Sequence, residues 1–154
     1  MATPKIEIVF TEPTHIRALA MNLRPNDELE FERLGVTGKQ GLWRSYRNSI
    51  MRRTALVDNE VAAMWGVGGE VLAETGQPWL ATSPLVYKIS PLRFARIYKS
   101  QVVEMLNLFP RLANFVDASY TESVRLLELI GFTLGEPKPM GPHGAPFREF
   151  SMGR

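Results

Sequence analysis

The sequence predicts a single α/β domain in which a central mixed sheet carries helices on its faces. Two observations lead to this class. The hydrophobic period changes at residue 54, from helical spacing over 13–53 to strand-like alternation over 54–67. A long capped helix then lies between two strand-like segments, which is the order of a crossover connection. An antiparallel meander followed by crossover helices implies a mixed sheet with helices on both faces.

The N-terminal third predicts one strand and three helices. Residues 5–10 alternate between apolar and polar positions, as a half-buried strand does. A helix is predicted over 13–23, where Pro13 suits the first turn. Residues 24–27 restart the chain into a second helical piece that ends at Gly35. The third helix is predicted over about 39–53, because its apolar residues recur at helical spacing.

The middle of the chain predicts strands. Residues 54–57 and 61–67 flank an Asp-Asn turn and form a predicted β-hairpin. A further strand is expected over 78–82, resuming at 85–87.

The C-terminal half predicts the longest helix. Ser90 is a suitable N-cap, Pro91 fits the first helical position, and an apolar stripe continues until Pro110. A buried strand is expected over 112–116. Ser119 and Glu122 then predict a capping box for a helix closed by Gly131. Closing strands are expected over 132–134 and 147–152, around a loop at 137–146.

Composition excludes several classes of site. The 154 residues suit one domain, 1–154, with a substantial core. Cysteine is absent, so disulfides and thiolate sites are excluded. The chain has only two histidines, and we expect no histidine-rich metal site. The net charge of +2 is too small to indicate nucleic-acid binding. The sequence has no apolar run of about 20 residues and no leader-like start, so we expect no membrane contact and a cytoplasmic location.

The stretch 118–132 resembles the Asn-x-x-Ala-x-x-x-Tyr-x-x-x-Gly-Phe signature of the GNAT (N-acetyltransferase) superfamily. Ser123 and the Gly131-Phe132 ending match it, whereas Tyr120 stands where the Asn usually is. The resemblance covers the order of elements over 79–132 and implies a GNAT-like fold with an acyl-CoA site. In that family the pantetheine lies in a wedge between two splayed strands, and the pyrophosphate meets the amides of the following helix.

The resemblance is sharper to the GNAT-like proteins of podoviruses, often described as internal virion proteins. The similar runs are 79–83, 87–90 and 123–131. Two departures from the superfamily pattern suggest a degraded acyl-CoA site. Leu127 stands where a tyrosine commonly protonates the CoA thiolate, and Pro91 and Arg93 occupy the phosphate loop, where Pro91 lacks an amide donor and Arg93 replaces a small residue.

This resemblance implies positions for acetyl-CoA, the one cofactor expected; no metal is expected. The cofactor-binding positions are Tyr87, Lys88, Ile89, Ser90, Arg93, Phe94, Arg96, Tyr120 and Leu127. Arg93, Arg96 and Lys99 equally fit a solvated helix face or a site for another anion. Glu70 and Glu74 are candidate catalytic residues that would take a proton from an amine, with exposed loop glutamates as the alternative.

Two functions follow as hypotheses. The first is a phage-encoded, noncatalytic GNAT-like protein that binds a host or virion protein in the host cytoplasm or in the particle. The second is an acetyl-CoA-dependent N-acetyltransferase acting on an amine of a protein or small molecule. Trp43, Trp65 and Trp79 are candidate anchors for a partner if they are exposed, and a homodimer is left open.

Overall fold

A computed structural model describes residues 3–154 as eight strands and five helices around one sheet. The strands are β1 (Ile6–Phe10), β2 (Ser49–Val57), β3 (Glu60–Gly68), β4 (Thr75–Thr82), β5 (Arg111–Asp117), β6 (Thr133–Leu134), β7 (Lys138–Met140) and β8 (Ala145–Gly153). The helices are α1 (Pro13–Ala20), α2 (Pro25–Arg33), α3 (Gly38–Asn48), α4 (Pro91–Leu108) and α5 (Thr121–Ile130), with a 3₁₀ turn at Pro84–Lys88.

The sheet consists of two antiparallel halves. Strands β1 to β4 form a meander in chain order, and β5, β8, β6 and β7 form the second half around β8. The halves meet where β4 and β5 run parallel, and α4 is the crossover between these two strands. This confirms the predicted mixed sheet.

The core lies on both faces of the sheet. The larger apolar cluster joins the sheet to α4 and α5 and includes Trp65, Val102 and Leu127. The smaller cluster joins the sheet to α1 and α3 and includes Ile16 and Leu42. In β3, Ala63, Trp65 and Val67 belong to the larger cluster and Met64 to the smaller one, as the pleat of a strand requires.

Residues 49–53, predicted as the end of a helix, are instead the first half of β2. The helix ends at Asn48, and Ser49 to Arg53 pair with Gly68 to Trp65 of β3. A bulge between Ser49 and Met51 leaves Ile50 exposed, which breaks the strand-like alternation of buried and exposed residues.

The predicted strand at 85–87 is also wrong, because Pro84–Lys88 forms the 3₁₀ turn. Pro84 fits its first position, and the Ser83 hydroxyl accepts the Leu85 amide at 3.2 Å. The short strand β7 lies in the segment predicted as a loop, where it pairs with β8.

The capping box predicted from Ser119 and Glu122 does not form. Helix α5 has Tyr120 as its N-cap residue, without a side-chain cap. The Ser119 hydroxyl donates to Asp117 at 2.7 Å, and Glu122 accepts a hydrogen bond from Arg24. Other partners, Asp117 nearby and Arg24 far along the chain, thus replace the predicted capping interaction.

Candidate functional site

The central feature is a wedge between β4 and β5, which share only two residue pairs, Thr75 with Arg111 and Gly76 with Leu112. Beyond them Pro78–Thr82 and Ala113–Asp117 are not paired with each other. A cavity of about 190 Å³ occupies this space. The strands therefore separate toward their C-terminal ends.

Pro78 is a sequence-level cause of this separation. Its carbonyl accepts the side-chain amide of Asn114 at 2.9 Å, so the backbone of Pro78 faces β5. The N–H that would point the same way is missing in proline, and a strand–strand hydrogen bond is lost. The Asn114 side chain spans the gap instead.

Arg24 closes the mouth of the wedge, which we define by Thr82, Tyr87 and Glu122. Its guanidinium donates to the Tyr87 hydroxyl at 2.9 Å and to Glu122 at 2.8 Å, and it is only 9% exposed. The group also lies 5.2 Å from the Tyr87 ring centre and 5.3 Å from that of Tyr120. We call these contacts the Arg24 bridge.

The backbone holds Arg24 in this position. As the N-cap residue of α2 it has an extended conformation, and its N–H donates to the Thr82 carbonyl at 3.0 Å. Asp27, one turn along, accepts both the hydroxyl and the N–H of Thr82, the latter at 2.9 Å. The start of α2 is therefore fixed to the end of β4.

Two carboxylates inside the wedge have raised pKa values. Burial raises the pKa of Asp27, although Thr82 and Arg24 oppose the shift. Burial also raises the pKa of Glu30 to about 7, although its carboxylate accepts the Asp117 amide at 3.1 Å. Glu30 is in none of the ion pairs among residues 3–154, whereas Asp117 pairs with Arg33 at 2.6 Å.

The predicted cofactor positions fall into three groups. Tyr87, Ile89 and Phe94 line a groove of about 360 Å³ between the α4 start and α5, which shares Arg24 and Thr82 with the wedge cavity. Tyr120 and Leu127 are buried beside the wedge, and burial raises the pKa of the Tyr120 hydroxyl, which has no hydrogen-bond partner among residues 3–154.

The remaining predicted positions surround the start of α4. Ser90 is the N-cap, and its hydroxyl accepts the Arg93 amide at 3.2 Å. Lys88, Arg93 and Arg96 are exposed.

Glu70 and Glu74, predicted as catalytic residues, lie just before β4, at the end where β4 and β5 are paired. Neither lines the wedge cavity or the groove. The Glu74 carbonyl accepts the Arg111 amide at 3.1 Å, so this residue helps to close that end. The structure does not bring these glutamates to the mouth.

The tryptophans are not the exposed anchors considered above. Trp65 is fully buried, and Trp43 and Trp79 are partly buried. The indole N–H of Trp79 donates to Ser49 at 2.7 Å. All three contribute to the two core clusters.

Sequence reasoning missed Arg24, Asp27, Glu30 and Asp117. The i,i+3 spacing of Arg24 and Asp27 is visible in the sequence, but it is also common on solvated helices. Their partners lie 55 to 98 residues away. No local pattern predicts such pairs.

The residues of this site fit acyl-CoA poorly. The Arg24 bridge crosses the mouth of the wedge. At the start of α4, Pro91 has no amide hydrogen, and the Arg93 amide is taken by Ser90.

Among residues 3–154, no group of three His, Cys, Asp or Glu side chains could hold a metal ion, and no helix is both long and apolar enough to cross a bilayer.

Comparison with known proteins shows the fold. No protein-family model matches the chain, and no curated protein matches it by sequence. Among solved structures, a GNAT-family acetyltransferase from Bacillus anthracis is 11% identical, with a TM-score of 0.69 over 99% of this chain and 96% of that one. YncA, described as an acetyltransferase from Salmonella typhimurium with its cofactor acetyl-CoA, is 11% identical, with a TM-score of 0.69 over 96% and 93%.

A third similar structure is described as a phosphinothricin N-acetyltransferase. It is 13% identical, with a TM-score of 0.68 over 97% of this chain and 98% of that one. At such identities the likeness shows the fold alone. The chain has the GNAT acetyltransferase fold over nearly its whole length.

Proposed function

We propose that this chain is a phage-encoded, noncatalytic GNAT-fold protein that acts by binding a host or virion protein, in the host cytoplasm or in the particle. The observation that carries the noncatalytic part is the Arg24 bridge. A cation that is 9% exposed and bonded to Tyr87 and Glu122 occupies the mouth that a thioester cofactor would need. The phage origin rests on the resemblance of residues 79–131 to podoviral proteins.

Two further features support a noncatalytic role. Leu127, which is buried in the larger core cluster, cannot donate a proton to a departing thiolate. The α4 N-terminus has lost two of its first three amides to Pro91 and to the Ser90 cap. A phosphate would therefore find a weaker anion site than a free helix N-terminus provides.

The test is a titration of the wild-type chain with acetyl-CoA, followed by thermal unfolding. A ligand at 100 times its Kd adds roughly 2.7 kcal/mol of stability, which is readily seen as a shift in Tm. We expect no shift at millimolar cofactor and no acetyl transfer to amines. A clear shift accompanied by acetyl transfer would overturn the noncatalytic proposal.

The alternative function, an acetyl-CoA-dependent N-acetyltransferase, has two observations in its favour. The two strands do separate after only two residue pairs, and a similar protein of this fold was solved with acetyl-CoA. For this alternative, the carboxylate placed to accept a proton from an amine is Glu30, which lines the wedge cavity. Loss of acetyl transfer in Glu30→Gln, but not in Glu70→Gln, would identify Glu30 as the proton acceptor in place of the two glutamates predicted from sequence.

A further inference from the structure

The groove between the 3₁₀ turn, the start of α4 and helix α5 is an apolar depression on the surface. Val86, Ile89 and Leu126 are among the residues that line it, and its volume is about 360 Å³. Tyr87 and Leu129, which also line it, are 63% and 58% exposed. Leu92, in the first turn of α4, is 63% exposed. Bulky apolar groups at such exposure cost free energy in water unless a partner covers them.

The surroundings of this groove are basic. Arg125 lines it, and Lys88, Arg93 and Arg96 belong to the same turn and helix start. None of these four cations is in an ion pair with any residue among 3–154. Glu122, the one carboxylate lining the groove, is already paired with Arg24 at 2.8 Å.

We infer that this groove binds a short acidic segment of a partner protein, one that carries bulky apolar side chains. The inference rests on the proposed function and names the chemistry of the partner. Leucine or phenylalanine side chains would cover the aliphatic floor, and aspartate or glutamate would pair with Arg93, Arg125 and their neighbours. Charge complementarity of this kind sets specificity and association rate.

A protein segment suits the groove better than a nucleic acid does. The floor is mainly aliphatic, whereas single-stranded nucleic acids need aromatic faces on which bases stack. Tyr87, the exposed aromatic residue lining the groove, is held by the Arg24 bridge. The net charge of +2 also gives little general attraction to a phosphate backbone.

The experiment is selection of a random peptide library, displayed on phage, against the intact wild-type chain. We expect the enriched peptides to combine aspartate or glutamate with leucine, phenylalanine or tryptophan. Their affinity for Arg93→Glu/Arg125→Glu should fall at least about tenfold. It should also fall for Leu129→Ser, which removes an exposed apolar side chain. The matched control is Arg44→Glu/Arg47→Glu on α3, at the opposite face of the sheet, which should bind as the wild type does.

Several outcomes would overturn the inference. They are the absence of any enriched family, enrichment of basic peptides, and equal binding to the Arg93→Glu/Arg125→Glu variant. Tighter binding of a single-stranded oligonucleotide than of the best peptide would also count against it. Selection against the wild type alone shows whether acidic or basic peptides bind, so this result does not depend on whether the variants fold. Acetyl transfer by the wild type would contradict the proposed function. The peptide selection has a separate readout, so the two failures can be told apart.

Discussion

Arg24 is the residue that closes the mouth of the wedge. Its side chain is contributed by the start of α2, yet it contacts groups from the 3₁₀ turn and from α5. A buried guanidinium is tolerated because it has carboxylate and hydroxyl partners and lies near two aromatic rings. Removing a carboxylate partner weakens this compensation.

Arg24 and Asp27 should therefore show strong energetic coupling. We expect Arg24→Ala to lower the free energy of unfolding by about 3 kcal/mol, because Asp27 is left buried without its cation. Asp27→Asn in the same chain should restore part of that loss, giving a coupling of about 1–3 kcal/mol in urea unfolding. Arg33→Ala serves as the control. Adding Asp27→Asn to this variant should not restore its free energy of unfolding. Simple additivity of Arg24→Ala and Asp27→Asn would contradict the assignment.

Glu30 should make stability depend on pH near neutrality. Its pKa is about 7 in the folded chain, above its ordinary value of 4.5, so the folded state binds this proton more tightly than the unfolded state. The resulting stability is complete below pH 4.5 and is lost as the pH rises through about 7.

The uncharged variant Glu30→Gln removes this dependence. Between pH 4 and pH 8 the wild type should lose about 1–3 kcal/mol relative to the variant. Urea unfolding at both pH values measures the difference. Glu32→Gln, on the exposed side of α2, is the matched control. A constant difference across this pH range would show that Glu30 has an ordinary pKa.

At the scale of elements, sequence patterns predicted the helix starts and ends that neighbouring residues determine. The α4 start follows from Ser90 and Pro91, and the end of α5 follows from Gly131, whose φ of +117° suits glycine. The boundary between α3 and β2 could not be predicted, because the strand pairing of residues 49–53 is a tertiary contact. The ion pairs of the wedge were missed for the same reason. The fold was thus largely predictable, whereas the centre of the candidate site was not.

The side chain of Asn114 should act as a structural spacer between β4 and β5. Asn114→Ala removes the hydrogen bond to the Pro78 carbonyl, and we expect a loss of about 1–2 kcal/mol in the free energy of unfolding. Asn107→Ala, an exposed change at the end of α4, should alter stability by less than about 0.5 kcal/mol. Equal effects of the two changes in urea unfolding would mean that the Asn114 contact adds nothing.

At the scale of the whole molecule, one sheet links two apolar clusters. Because β3 supplies both clusters from its two faces, we expect the chain to unfold as one cooperative domain. The groove, the wedge and the Arg24 bridge then share the stability of this single unit.

Truncation of either cluster should lower the same transition. Leu42→Ala, in the smaller cluster, and Leu112→Ala, in the larger one, should each cost about 2–5 kcal/mol. Circular dichroism and tryptophan fluorescence should give coincident unfolding curves in both variants. Leu108→Ala, at an exposed position, is the control. Two separate transitions in either variant would indicate two domains.

The two residue pairs between β4 and β5 also have a consequence for how such a scaffold can change over generations. Side chains such as Asn114 and Arg24 set the width of the wedge. Substituting them removes no backbone hydrogen bond within either half of the sheet. Point substitutions at these positions should therefore alter the width of the wedge while the pairing of Gly76 with Leu112 stays intact.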